Sequence, residues 1–324
     1  MPVVETTYHC PRLLRNAHLH TILCATLRQR PPVPYIRERL ELPDGDFVDL
    51  DWSKSDSRKL VIITHGMEGS SRSKYVLHTV RRANKLGYSA LAWNMRGCSG
   101  QPNRKIHFYH SGKTEDLDCV VSHARKLGFS QIYLVGFSLG GNLTLLYLGQ
   151  KAAALHHSIK RAVAISAPVD LVSSQQQIEL PENRIYLARF LKDFRKKFRK
   201  KRLQRKIYID VRRFKDEIKT LAHLDARYTA PWNGFANELA YYEQCSSLPL
   251  LAKISVPALL INPQDDTFLS PACYPVEHAR QSRFFYLETP AMGGHCAMLL
   301  NHAFNESYME NRIFEFFEDA APAN

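Results

Sequence analysis

A serine between two glycines offers the clearest chemistry in this sequence. Residues 136–140 read Gly-Phe-Ser-Leu-Gly, and they directly follow an apolar run at 132–135. A serine hydroxyl is a poor nucleophile unless a sharp strand-to-helix turn presents it to a base, and the two glycines let the backbone make that turn without a Cβ clash. The apolar stretch at 142–148 is long enough for the helix that must follow. The pattern predicts that Ser138 attacks a carbonyl carbon.

Such a serine needs a histidine base later in the chain. The last predicted strand, residues 284–287, is followed by Gly293-Gly294-His295. His295 is therefore the predicted base, which takes the proton from Ser138 and returns it to the leaving group.

An acidic residue must orient the imidazole and stabilise its protonated form. The strand predicted at 258–261 runs into Asn-Pro-Gln-Asp-Asp, and Asp266 is the predicted acid. Spacing fixes such positions only to within a few residues, so the adjacent Asp265 stays an alternative. Asp170 is a third candidate, because it follows the strand predicted at 162–165, a region from which some serine hydrolases draw their acid.

The oxyanion formed on attack needs two backbone N–H donors. Leu139, directly after the serine, is predicted to supply one, and Met67 in the loop after the third strand is predicted to supply the other. Losing such a donor costs about 2.7 to 4 kcal/mol of transition-state stabilisation. The loop at 65–69 reads His-Gly-Met-Glu-Gly, with small residues where the chain approaches a substrate. Its other candidates for the substrate pocket are His65, Gly66 and Glu68.

Alternating strand and helix patterns must position these groups, and they predict a mainly parallel sheet covered by helices on both faces. The predicted strands are residues 35–42, 47–52, 60–64, 89–93, 132–135, 162–165, 258–261 and 284–287, and the first two form an antiparallel edge through an Asp-Gly turn. A helix with Thr114 as its N-cap precedes the strand before the serine. Residues 169–248 interrupt the alternation and are predicted to form an inserted helical cap. The core is then residues 1–168 and 249–324.

Composition indicates a globular protein, since 324 residues with 45 % hydrophobic content can bury a substantial core. Residues 1–24 lack the apolar run of a signal peptide or membrane span, so we expect a cytoplasmic location. The seven scattered cysteines indicate free thiols. The histidine pairs at 18/20 and 156/157 lack the i, i+4 spacing of zinc enzymes, so no metal site is expected.

Positive charge is concentrated in one part of the predicted cap. Residues 184–219 contain 16 Lys or Arg and four acidic residues, which is +12 of the net charge of +13. Within this segment Phe190, Phe194 and Phe198 recur at helical spacing. Two interpretations stay open. The helix docks on anionic lipid at the inner face of the membrane, where each basic side chain contributes about 1 kcal/mol; or the phenylalanines cover the active site and the charges form a solvated outer face.

Taken together, these motifs resemble the YheT-like family of α/β-hydrolases. The likeness also includes residues 94–103, which read Asn-Met-Arg-Gly-Cys-Ser-Gly-Gln-Pro-Asn, and 109–112, which read Tyr-His-Ser-Gly. It extends to the start at 16–21 and to a late block from 225 to 266. Nearly everything except the basic insert is covered.

The resemblance implies the α/β-hydrolase fold and a carboxylic ester hydrolase without a cofactor, related to enzymes that act on acylglycerols and other lipid esters. It implies Ser138, His295 and Asp266 as nucleophile, base and acid, and favours Asp266 because the acid ends the family's paired-acid motif. Two residues of the shared motifs, Arg96 and His110, are further pocket candidates. For Arg96, a rigid loop held by its contacts is an equally good interpretation.

A second hypothesis is a protein of this fold that has lost turnover and binds an anionic partner, nucleic acid or membrane, through residues 184–219. That segment is densely basic but contains no recognised nucleic-acid-reading motif, and a complete triad is unnecessary for such a role. We therefore expect an enzyme with a small-molecule or lipid ester substrate and no nucleic-acid partner. Thioesters and amides use the same apparatus and are not separated from esters by sequence.

Overall fold

Strands and helices alternate along the chain. The computed structural model describes residues 2–205, 214–300, 305 and 307–319. Within these ranges the strands are β1 (Val3–Val4), β2 (Ile36–Glu41), β3 (Phe47–Ser53), β4 (Lys59–Thr64), β5 (Ser89–Asn94), β6 (Gln131–Phe137), β7 (Ile159–Ile165), β8 (Ala258–Ile261) and β9 (Phe285–Glu288). The α-helices are α1 (Ala17–Leu27), α2 (Lys74–Lys85), α3 (Thr114–Lys126), α4 (Leu139–Lys151), α5 (Leu171–Ile178), α6 (Arg184–Arg205), α7 (Phe214–Glu217), α8 (Leu221–Leu224), α9 (Ala230–Trp232), α10 (Glu238–Cys245), α11 (Val276–Gln281) and α12 (Tyr308–Glu318).

The strands form one sheet in the order β1-β9-β8-β7-β6-β4-β5-β3-β2. Neighbours from β1 to β5 in this order are parallel, whereas β3 runs antiparallel to both β5 and β2. The predicted mainly parallel sheet with an antiparallel hairpin at one edge is therefore confirmed. Strand β1 was not predicted, because two residues leave no apolar pattern. Since parallel strands end at the same edge of a sheet, the segments after β4, β6, β8 and β9 meet there.

Both faces of the central strands are buried, which explains their continuous apolar sequences. Alternate residues point to opposite sides, so Ile62 and Leu134 belong to one core cluster while Ile63 and Val135 belong to the other. Helices α3 and α4 cover the first face, and α2 and α12 cover the second. The predicted N-cap Thr114 is instead the first residue of α3, with Lys113 at the N-cap position, and the Thr114 hydroxyl donates to Gln150 Oε1 at 2.6 Å.

The helices between β7 and β8, from α5 to α10, lie within the predicted cap at 169–248. Residues 206–213 of the cap and of its basic segment lie outside the described residues. No helix in the part of the chain that the structure describes has both the length and the apolar composition needed to cross a bilayer.

Candidate active site

The serine of the Gly-Phe-Ser-Leu-Gly motif lies in a strained turn between β6 and α4. Ser138 has φ +54° and ψ −123°, in the left-handed half of conformational space that side chains disfavour. Neither Gly136 nor Gly140 has a positive φ. A Cβ on Gly140 would come within 2.5 Å of the carbonyl oxygen of His65, and one on Gly136 would collide with Gly140. The glycines are needed for close packing, and the strain falls on the serine.

The structure brings together the three side chains predicted to react. His295 Nε2 lies 3.0 Å from Ser138 Oγ. On its other side, the His295 Nδ1–H donates to Asp266, with oxygens at 2.8 and 3.0 Å. The Phe268 N–H donates to Asp266 Oδ1 at 3.0 Å and fixes the carboxylate. This arrangement can withdraw a proton from the serine hydroxyl and hold the resulting imidazolium.

The two alternative acids have other partners. Asp265 Oδ1 accepts a hydrogen bond from the Gly294 N–H at 2.9 Å, and its Oδ2 is buried without a partner among the described residues. Asp170 precedes α5 and accepts from the Ser173 N–H at 3.3 Å, which is the geometry of a helix N-cap. Neither carboxylate is hydrogen-bonded to His295 in the parts of the chain described.

The environment of His295 holds the ring and sets its protonation. The backbone N–H of His295 donates to Thr21 Oγ1 of α1 at 2.9 Å. The imidazole ring packs on the Phe268 ring, with the two centroids 4.2 Å apart. Burial alone lowers the pKa of His295, but the Asp266 carboxylate and the hydrogen bond to it raise the pKa by more, so the net shift is upward.

The two predicted oxyanion donors lie beside the serine. Met67 and Leu139 line the same cavity as Ser138 and His295, and within the described ranges neither backbone N–H has a hydrogen-bond partner. The amide groups on either side of Met67 are held: the Gly66 N–H donates to the Tyr75 hydroxyl at 3.0 Å, and the Glu68 N–H to the Tyr109 hydroxyl at 2.8 Å. The Leu139 N–H is free because it opens α4.

A largely apolar cavity that opens to solvent adjoins the serine. Its apolar lining includes Leu171, Ile178, Leu221, Phe190 and Phe268. A second cavity shares five lining residues with the first, and His110 lines this second space; the shared residues are Met67, Leu139, Leu221, Asp225 and Tyr241. Of the predicted pocket candidates, His110 is therefore at a cavity wall, whereas His65, Gly66, Glu68 and Arg96 are not.

His65 connects the loop at 65–69 to the neighbouring strand instead of facing a substrate. It is buried, its Nδ1–H donates to the Gly66 carbonyl at 2.7 Å, and its Nε2 accepts from the Met95 N–H at 3.2 Å. Burial lowers the pKa of His65 to about 4, so the ring is neutral. Its role is to hold the loop in place.

The buried Arg96 side chain is ion-paired with three carboxylates. Its guanidinium makes two hydrogen bonds of 2.7 Å to Asp116 and further contacts to Asp44 at 2.6 Å and Asp46 at 3.2 Å. The interpretation of a rigid loop held by Arg96 fits this geometry, because every described contact is internal.

Two residues that line the cavity, Asp225 and Phe268, were not predicted from the sequence. Asp225 lines both cavities, accepts from the Tyr242 hydroxyl at 2.7 Å, and has a pKa that burial raises to about 6. It begins a π-helical turn, Asp225–Thr229, of a kind that often occurs at functional sites. Phe268 covers His295, and its position two residues after the predicted acid was the only sequence signal available.

The aromatic stripe of the basic helix faces inward. Phe194 and Phe198 are buried, and Phe190 lines the cavity beside Ser138. Most exposed positions of α6 instead carry basic side chains such as Arg189 and Lys192, although Ile185 and Leu203 are exposed as well. This agrees with the interpretation in which the phenylalanines cover the active site. The second part of that interpretation, a solvated outer face formed by the charges, does not apply to Lys197 and Lys201, because both are buried.

The two histidine pairs, at 18/20 and 156/157, lie in different parts of the structure. His20 is buried and its Nε2 accepts from the Leu299 N–H at 2.9 Å, whereas the rings of His156 and His157 lie 4.1 Å apart, outside the core. The described residues contain no group of three or more His, Cys, Asp or Glu side chains that could hold a metal ion.

The chain is similar to several known proteins. Residues 59–301 match a family described as alpha/beta hydrolase fold. The chain is 33 % identical over 309 residues to the Escherichia coli (strain K12) protein named "Putative esterase YheT", covering 92 % of this chain and 89 % of that protein. It is 28 % identical over 330 residues to the human protein named phospholipase ABHD3, with 98 % and 80 % covered. A structure of a Pyrococcus furiosus esterase is similar with a TM-score of 0.61 at 17 % identity, covering 88 % of this chain and 91 % of that one.

Proposed function

Because the chain belongs to the YheT-like family of α/β-hydrolases, we propose that it is a serine hydrolase that cleaves carboxylic esters. The observation that carries this proposal is the hydrogen-bonded chain from Ser138 Oγ to His295 Nε2 at 3.0 Å and from His295 Nδ1 to Asp266 at 2.8 Å. An apolar cavity at the serine provides room for an acyl chain.

The reaction proceeds in two halves. Ser138 Oγ attacks the ester carbonyl carbon while His295 Nε2 takes the hydroxyl proton, and the negative oxygen is held by the N–H groups of Met67 and Leu139. The intermediate collapses, its C–O bond to the alcohol breaks, and His295 gives the alcohol its proton. Water then attacks the acyl-enzyme with His295 again as base, which releases the carboxylic acid and restores Ser138. Asp266 stabilises the imidazolium in both halves.

We propose lipid-like or short to medium acyl esters as the substrate class. The cavity wall supports this, since Leu171, Ile178, Phe190 and Phe268 present apolar surface beside Ser138. The similarity to a protein named phospholipase ABHD3 also supports it. Acyl burial in such a wall gains about 0.8 kcal/mol for each methylene group. We therefore expect kcat/KM to increase with acyl length until the cavity is full.

The test is hydrolysis of p-nitrophenyl esters of increasing acyl length, with a thioester and an anilide of the best acyl group beside them. We expect ester turnover, faster than anilide turnover, and labelling of Ser138 by a fluorophosphonate probe. An inactive protein that binds anionic partners through its basic cap predicts neither turnover nor labelling. Absence of both from the folded protein would therefore reject the proposed activity in favour of that alternative.

The pH dependence follows from the raised pKa of His295. The neutral imidazole is the base, so protonation of His295 removes activity as pH falls through its pKa. Because that pKa is shifted upward, we expect the acidic limb of kcat/KM to lie above the ordinary histidine value of about 6.5. Release of p-nitrophenol is followed at the wavelength where its two forms absorb equally, with circular dichroism confirming the fold at each pH. A limb below the ordinary value contradicts this assignment.

Contact with an anionic membrane stays a prediction based on charge alone, because the phenylalanines face inward. The exposed side chains of Arg189, Lys192 and Arg199 would supply about 1 kcal/mol each near an acidic leaflet. We expect the protein to sediment with phosphatidylglycerol-containing vesicles, and the R189Q/K192Q/R199Q variant to do so less. Equal sedimentation with pure phosphatidylcholine vesicles would show that charge is not responsible.

A further inference from the structure

The long basic helix α6 buries one of its lysines against the loop that carries Met67. Lys197 is 9 % exposed, although its neighbours Lys196 and Arg199 lie at the surface. Its Nζ is 2.5 Å from Glu68 Oε1, and the Glu68 side chain is 7 % exposed. Taking two charges out of water costs several kcal/mol for each ion, which their attraction repays only with excellent geometry. Stability alone is therefore a poor explanation for this pair.

Glu68 follows Met67 directly, and both its backbone and its side chain are tied in place. The Tyr109 hydroxyl accepts from the Glu68 N–H at 2.8 Å and donates to Glu68 Oε1 at 2.9 Å. Glu68 also has φ +51°, a conformation that a residue with a side chain keeps only when its surroundings enforce it. Lys197 is the contact that the cap adds to this arrangement.

The neighbouring contacts of α6 explain how the lysine is aimed. One helical turn further along, Lys201 Nζ donates to Asn103 Oδ1 at 2.7 Å and lies 4.1 Å from the centre of the Phe108 ring. Towards the other end of the helix, Phe190 lines the cavity beside Ser138. Contacts of α6 thus lie on both sides of Lys197, which reaches the loop at 65–69 between them.

We propose that Lys197 is a positioning residue whose ion pair with Glu68 aims the Met67 N–H into the oxyanion hole while α6 covers the cavity. This inference rests on the proposed esterase function. It links two features that are otherwise separate: the cover that α6 places over the cavity and the assembly of the site that stabilises the transition state. The reaction would then be fastest only with the cap in place.

The kinetic test uses K197M, E68Q and the double variant K197M/E68Q. Complete loss of an oxyanion donor costs about 10² to 10³ in kcat, so misplacement of one donor should lower kcat by about tenfold to 100-fold. KM should change little, because the donor acts mainly in the transition state. The double variant should be no slower than the slower single variant, since both changes remove the same interaction.

Thermal stability separates positioning from mere support of the fold. Each single variant leaves one buried charge without its partner and should lower Tm. The double variant has neither buried charge and should recover much of the lost Tm. We expect kcat of the double variant to stay low despite that recovery. The matched control is K196M, on the exposed side of the same helix, where Lys196 pairs with Asp193 at 3.0 Å; it should keep the wild-type kcat.

Hydrogen exchange of the loop gives a readout that needs no turnover. A peptide containing residues 65–69 should exchange faster in K197M and in the double variant than in the wild type or K196M, while β4 keeps its protection. Wild-type protein without esterase activity would reject the proposed function and leave this measurement to judge the positioning role. Unchanged exchange in the loop, wild-type kcat in K197M, or recovery of kcat together with Tm in the double variant would each overturn the inference.

Discussion

Replacing Ser138 by alanine is expected to lower ester turnover by about 10⁶-fold, the scale on which removal of a triad serine acts in another serine hydrolase. The substitution removes the only atom that forms the covalent bond to the acyl group. The position of His295 3.0 Å from Ser138 Oγ does not compensate, because a lone imidazole has no nucleophile to activate. The measurement is kcat/KM on the best p-nitrophenyl ester, together with loss of fluorophosphonate labelling.

A matched serine controls for general effects of the substitution. Ser130 is exposed and immediately precedes β6, at the opposite end of that strand from Ser138. Ser130→Ala should keep both activity and labelling, and circular dichroism should show both variants folded. Equal rates for the wild type and Ser138→Ala would mean that the observed hydrolysis does not pass through this serine.

The second large effect is expected from Asp266→Asn, which should lower kcat by about 10⁴-fold. Asparagine has nearly the same shape, but its amide can donate to Nδ1 and so stabilise the wrong tautomer of His295, with the proton on Nε2. It also removes the charge that stabilises the imidazolium. The carboxylate lies 2.8 Å from Nδ1, so the change acts directly on the base.

The adjacent acid provides the matched comparison. Asp265→Asn keeps a carbonyl oxygen that accepts from the Gly294 N–H, so we expect a loss far smaller than that of Asp266→Asn. Steady-state kinetics of the two purified variants would decide between the acids that spacing left open. A larger loss in Asp265→Asn would assign the role to Asp265 and contradict the geometry.

Much of the fold was predictable because buried parallel strands have a plain signature. Strand β8 has the predicted bounds, and the other predicted strands differ only by a few residues at their ends, where packing rather than composition decides. The antiparallel edge followed from Asp-Gly turn chemistry. Strand β1 could not be found this way, since its two residues form a strand only because β9 is there to pair with them.

The candidate site was predictable where chemistry restricts the residue type. Few positions after the later strands carry an acid or a histidine, so Asp266 and His295 could be named, and the structure brings them to Ser138. His65 and Arg96 were placed at the pocket because they stand in loops at strand ends. The sequence does not reveal that the His65 ring nitrogens and the Arg96 guanidinium are already hydrogen-bonded to other groups of the protein.

Lys197 and Lys201 show a different difficulty. With Phe194 and Phe198 they occupy positions i, i+3, i+4 and i+7 of one helix face, so the spacing did contain the signal. A lysine on an amphipathic helix is ordinarily at the surface, and its long apolar stem lets it accompany aromatic neighbours without being buried. Only the presence of Glu68 and Asn103 on the opposing loops explains the burial.

Strand β1 has a practical consequence for anyone who handles this protein. Val3 pairs with Leu287, Thr6 donates to Glu288 at 2.9 Å, and Thr21 accepts from the His295 N–H. The N-terminal residues therefore contact both β9 and the loop that carries the reactive histidine. Deletion or substitution of residues 3–6 would remove the contacts of Val3 and Thr6, so variants meant to leave the histidine undisturbed should keep this segment intact.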